Sequence, residues 1–119
     1  MAKPEYTYRA EVLKVVDGDT VDLRVDLGFR VTTVQRFRLA RINAPEMHDA
    51  RPDIQAKAEQ AKERLELLLK SGGVILRSEK PLSDDKYGRW LAEIYTATGV
   101  DVNQTLIDEG LVKLYPGKY

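Results

Sequence analysis

Two short stretches hold most of the side chains in this sequence that could act on a charged substrate. Val16 to Thr20 reads V-D-G-D-T, and Arg38 to Glu46 reads R-L-A-R-I-N-A-P-E. Asp17 and Asp19 flank a glycine, and in extended backbone residues two apart project to the same side. Two carboxylates sharing a site repel each other, and a hard cation relieves the repulsion by taking oxygen ligands. Asp17-Gly18 is equally what a hairpin turn uses, so by itself the pair fits a turn as well as a cation site. The second stretch adds an amide oxygen at Asn43, a carbonyl at Ala44 released from ladder pairing by Pro45, and the carboxylate of Glu46. Calcium and similar hard cations accept this mixture of oxygens. Arg38 supplies a planar guanidinium that can grip two phosphate oxygens and stabilise charge growing on them. Lys86-Tyr87-Gly88-Arg89 brings a second guanidinium into a strand behind a glycine turn. Oxygen ligands, arginines and a glutamate on short segments together suit chemistry on phosphate esters.

The elements that must position these groups can be read from periodicity. Tyr8 to Val16 is rich in Tyr and Val and stops at Asp17-Gly18, which reads as a strand and a turn. From Thr20 to Leu27 the alternation is clean, with Val21, Leu23, Val25 and Leu27 on one face and Asp22, Arg24 and Asp26 on the other. A third extended segment runs from about Val31 to Ile42 and ends at Asn43-Ala44-Pro45, because proline cannot donate to a ladder. Within it Phe37 and Leu39 share one face, and Arg36 and Arg38 the other. Arg36 and Arg41 read as surface arginines, Phe37 and Trp90 as core, and His48 as a solvated loop residue.

Ile54, Ala58, Ala61, Leu65 and Leu68 recur at helical spacing, with turn and cap residues at Asp49 to Asp53 before them and Ser71-Gly72-Gly73 after. The opposite face mixes both charges, with Glu66 and Lys70 spaced as an i, i+4 pair. Val74 to Arg77 and Arg89 to Tyr95 are further strands. Asp101 caps a short helix ending at Gly110, and Leu111 to Tyr119 reads as irregular. The sum is a mixed α+β, mainly β chain: a five-stranded OB-fold barrel with a helix between strands 3 and 4 and a short C-terminal helix.

At 119 residues the chain is expected to be one domain spanning 1–119, with flexible ends at 1–5 and 116–119. Hydrophobic residues make up 43% and charged residues 32%, which excludes a disordered or fibrous architecture. Nineteen basic residues balance nineteen acidic ones, so charge by itself neither favours nor excludes a nucleic-acid partner. Its distribution is uneven: four arginines (Arg30, Arg36, Arg38, Arg41) and no acid lie between Phe29 and Ile42, and Lys113 and Lys118 stand unopposed in the tail. Without cysteine there are neither disulfides nor thiolate metal sites. The start M-A-K-P-E-Y lacks an apolar signal core and no run reaches membrane-spanning length, so a cytoplasmic protein is expected.

V-D-G-D-T, F-R-L-x-x-I-N-A-P-E and D-K-Y-G-R-x-L-A, in this order and separated by a helix, resemble the staphylococcal nuclease (thermonuclease) family. The resemblance extends from Tyr8 to about Lys113. It implies an OB-fold barrel and calcium-dependent hydrolysis of phosphodiesters in DNA or RNA, with another divalent cation as the alternative because Asn43 replaces a ligand carboxylate; separately, a monomer with no obligatory protein partner is expected. It further implies that Asp19 is a direct metal ligand, Asp17 an acid acting through water, Asn43 a ligand where the best-known member has aspartate, and Ala44 a ligand through its carbonyl. Glu46 matches the general base, and Arg38 and Arg89 the phosphate-binding arginines. Lys86 and Tyr87 match residues flanking the nucleotide, and Tyr115 is a candidate stacking group in place of the family's tyrosine pair. A barrel that binds nucleic acid without cleaving it is the alternative; such relatives have lost the acids and arginines, which Asp19, Arg38, Glu46 and Arg89 retain here.

Overall fold

The computed structural model describes residues 6–78 and 90–114. Among the described residues, seven strands and two helices follow in the order β1 (Thr7–Asp17), β2 (Thr20–Asp26), β3 (Thr32–Leu39), β4 (Ile42–Asn43), α1 (Pro52–Leu68), β5 (Gly73–Ser78), β6 (Trp90–Thr96), α2 (Val102–Asp108) and β7 (Lys113–Leu114). Five of them close a barrel in the order β1-β2-β3-β6-β5, with β5 returning to β1. The β3–β6 pair is parallel, and the other four seams are antiparallel. With α1 between the third and fourth barrel strands, this is the expected OB-type barrel.

Alternation decides what enters the barrel. Val21, Leu23 and Val25 on β2, Phe37 and Leu39 on β3, Val74 and Leu76 on β5, and Ala92 and Ile94 on β6 are all buried in one core. Leu27, expected on the same face, lies past the end of β2 and is 42% exposed. On α1 the small residues Ala58 and Ala61 and the larger Leu65 form the buried stripe, which brings the helix close to the barrel. Pro52 opens α1 at the position where a missing N–H costs nothing, and Gly72 beyond it takes φ +82. The expected Glu66–Lys70 pair does not form. Arg64 instead reaches α2, where both oxygens of Glu109 accept from it at 2.7 and 2.8 Å.

Three expectations need correction. The third strand does not run through to Ile42: it ends at Leu39, Arg41 adopts φ +66, and Ile42–Asn43 becomes β4, paired with β7. Periodicity missed this because Leu39, Ala40 and Ile42 are all buried on both sides of the corner. The segment from Leu111 is therefore not wholly irregular, since Lys113–Leu114 forms β7. Trp90 is not core but 39% exposed, at the lip of a recess that Tyr8, Phe37 and Leu76 also line. No helix among the described residues is long and apolar enough to cross a membrane.

Candidate active site

The site is built where β1 turns into β2. Asp17 opposes Thr20 in the ladder, and its Oδ1 accepts from the Asp19 N–H at 3.1 Å, so the side chain itself closes the turn. Gly18 is needed here, but not for the positive φ that Asp-Gly suggests. A Cβ at this position would meet the Ala61 Cβ at 2.7 Å and the Ala44 Cβ at 3.0 Å. The glycine thus lets the turn touch both α1 and the segment after β4.

Asp19 is buried, and both its oxygens are held. Oδ1 accepts from the Thr20 hydroxyl at 2.9 Å and Oδ2 from the Ala44 N–H at 2.9 Å. Burial first, then the neighbouring Asp17 through hydrogen bond and charge, push the Asp19 carboxyl up to about 6; the Ala44 N–H and Thr20 hydroxyl pull the other way. What Ala44 turns toward Asp19 is its N–H, while its carbonyl belongs to the next peptide, with Pro45.

Register carries the arginine to the acids. Thr20 pairs with Arg38, and the Leu39 N–H donates to the Asp19 carbonyl at 2.8 Å. Arg38 lies on the face opposite Phe37, as its spacing predicts, and is buried beneath β4. Its Nη2 donates to the Ile42 carbonyl at 3.0 Å and to Asn43 Oδ1 at 3.1 Å. These contacts fix the plane of the guanidinium. Asn43 is therefore tied to Arg38, and a cation on the same amide oxygen would sit against a guanidinium.

Glu46 is exposed and lines a pocket of about 440 Å³ together with Asn43 and Ala44. Two of the surface residues behave as expected: Arg36 forms a bidentate pair with Asp22 at 2.7 and 3.1 Å, and His48 is exposed in its loop. Arg41, at the β3–β4 corner, donates to Glu93 at 2.7 Å. The structure thus gathers Asp17, Asp19, Arg38, Asn43 and Ala44 at one end of the barrel, with Glu46 at its edge. Arg89, Lys86, Tyr87 and Tyr115 lie outside the described residues, as do the expected flexible ends.

As to a metal, no group of three or more His, Cys, Asp or Glu side chains is placed to hold an ion among the described residues. What exists is a pair of adjacent carboxylates without an ion-pair partner among those residues, and Ala44, hydrogen-bonded to Asp19, and its neighbour Asn43 add a backbone carbonyl and an amide oxygen to the available donors. That all-oxygen set fits a hard divalent cation and not a soft one.

Residues 36–119 match the family model described as Staphylococcal nuclease homologue, which is most of the chain and includes all of the second stretch. The chain belongs to the staphylococcal nuclease homologue family. Among its relatives are SPbeta prophage-derived endonuclease YokF of Bacillus subtilis (strain 168), 37% identical over 85% of this chain and 32% of the relative, and endonuclease YncB of the same organism, 34% identical over 85% of this chain and 45% of the relative. Micrococcal nuclease of Shigella flexneri is 30% identical over 91% of this chain and 59% of its own length. The chain therefore spans between a third and three fifths of the length of these relatives.

Within this family member, sequence reasoning missed two residues that the site depends on. Asn103 is buried on α2; its Nδ2 donates to the carbonyls of Ala40 at 3.0 Å and Ala92 at 3.2 Å, and its Oδ1 accepts from the Ile94 N–H at 3.2 Å. It fixes the point at which the chain leaves β3 for β4. A polar residue between Val102 and the Leu106 side of a short apolar helix face was the available signal. Lys113 stands opposite Asn43 in the β4–β7 register, and no local pattern announces that pairing.

Proposed function

We propose that this chain is a metal-dependent nuclease that hydrolyses phosphodiester bonds of DNA or RNA with little sequence preference. The observation that carries the reading is the register of β2 against β3, which sets the Asp17–Asp19 turn beside Arg38 under the Asn43–Glu46 turn. Nuclease-named relatives support the same reaction class. Little sequence preference agrees with a site made of phosphate-directed groups, since such contacts position the strand without reading its bases.

Arg38, held in place by Ile42 and Asn43, directs its guanidinium at the non-bridging oxygens of the scissile phosphate. Arg89 is the second guanidinium of the proposal, with Lys86, Tyr87 and Tyr115 along the bound strand. Glu46, free in solvent at the pocket edge, takes the proton of the attacking water as its oxygen bonds to phosphorus. The bond from phosphorus to the leaving oxygen breaks, and solvent protonates that oxygen. A divalent cation, calcium first, would be held by Asp19 with Asp17, the Ala44 carbonyl and Asn43, and would neutralise charge on the phosphate.

The test is digestion of plasmid DNA, single-stranded DNA and RNA with calcium, magnesium, manganese or chelator, beside a Glu46→Ala variant. Cleavage by the wild type with a divalent ion, abolished by chelator and lowered at least about a hundredfold by the substitution, is the expected result. Equal cleavage by wild type and variant would reject Glu46 as the base. No cleavage under any condition, with nucleic acid still bound, would leave the non-catalytic barrel as the correct reading.

A further inference from the structure

The pocket beside Glu46 is larger than a phosphate requires. Its roughly 440 Å³ open between the Asn43–Glu46 turn, the first two turns of α1 and the turn from α2 into β7. That is the volume of a small-molecule site. Ile54, Leu111 and Val112 give it an apolar wall, and Lys57 and Lys113 stand exposed among its lining residues. Neither lysine has a hydrogen-bond or ion-pair partner among the described residues. The third cation of the lining, Arg51, is committed to Asp49, whose two oxygens accept from it at 3.0 and 2.8 Å.

Uncommitted ammonium groups beside an apolar wall are complementary to a ligand that is anionic at one end and flat and weakly polar at the other. A nucleotide has that form, whereas a simple anion would leave the wall uncovered in water. Because Asn43, Ala44 and Glu46 belong to both the pocket and the site, the ligand would be continuous with the reacting phosphate. We propose that this pocket holds the nucleotide next to the scissile phosphodiester, with its base against Ile54, Leu111 and Val112 and its phosphate on Lys57 and Lys113.

The placement along the strand rests on the nuclease reading, but the binding needs neither divalent cation nor catalysis and is measured without them. Methyl-labelled protein in chelator is titrated with a deoxynucleoside 5′-monophosphate and, separately, with inorganic phosphate, following the Ile54, Leu111 and Val112 methyl resonances. The nucleotide is expected to shift all three and phosphate alone to leave them in place. Both lysines are exposed, so a Lys57→Glu/Lys113→Glu variant keeps the fold, checked by its thermal melt, and weakens the nucleotide Kd by about tenfold or more. Shifts confined to other methyls, equal shifts with phosphate alone, or an unchanged Kd in the folded double variant would each overturn the proposal. In the cleavage assay the same variant raises KM for a short oligonucleotide and flattens its salt dependence. Should the wild type fail to cleave, the titration still decides the pocket by itself.

Discussion

At the scale of single residues, Asp19 governs the site. Its carboxyl, raised from 3.8 to about 6 by burial and by Asp17, binds protons in the folded chain that it would release when unfolded. Between those values the native state holds more protons than the unfolded one, so stability falls as pH rises through that window. In chelator the ionised Asp19 should therefore cost about 2 kcal/mol above pH 7 relative to pH 4. Asp19→Asn is expected to remove most of that loss, giving a denaturant midpoint above the wild type at pH 7.5. Curves for the two proteins with the same pH dependence would show that Asp19 is not the group responsible. A divalent cation should raise the wild-type midpoint at pH 7.5 and leave the variant nearly unmoved, which ties the same residue to cation binding by a readout other than cleavage.

At the scale of elements, the β1–β2 turn, α1 and β4 meet at a point where only glycine fits. Gly18→Ala places a methyl 2.7 Å from the Ala61 Cβ on a rigid helix, so either the turn or the helix has to move. A loss of about 2 kcal/mol in a urea melt is expected. Because the same displacement carries Asp19 away from the Ala44 N–H, divalent-cation affinity should weaken along with stability. Loss of stability with unchanged cation affinity would separate the packing role of the turn from the proposed site. The β3–β4 corner is the other junction of this kind. Arg41 in a left-handed conformation, braced against Glu93, redirects the chain so that Asn43 and Ala44 come back over Arg38 and Asp19.

At the scale of the whole molecule, α2 packs Val102 and Leu106 into the barrel core and adds the Asn103 amide, buried with its partners on β6 and at the end of β3. Asn103→Ala would strip partners from the Ala40 and Ala92 carbonyls and the Ile94 N–H in the buried interior. Unsatisfied buried groups are expensive, and a loss of about 3 kcal/mol is expected from thermal or urea unfolding. A cost below about 1 kcal/mol would mean that water replaces the amide.

The sequence by itself determined the five barrel strands, the two helices and their order, and hence the barrel, because alternation, glycine and proline act over a few residues; it did not show the short β4 and β7. It also singled out Asp17, Asp19, Arg38, Asn43, Ala44 and Glu46, since their residue types restrict the chemistry they can do. Only the tertiary structure decided how those groups stand to one another. Arg38 came to be braced on Asn43, the Ala44 N–H came to face Asp19, Gly18 proved to serve a close approach, and Lys113 arrived beside Asn43 through a two-residue strand. All but the Arg38 contact, which depends on the tight corner between β3 and β4, join segments far apart in the chain, and no local pattern encodes which buried surfaces will meet.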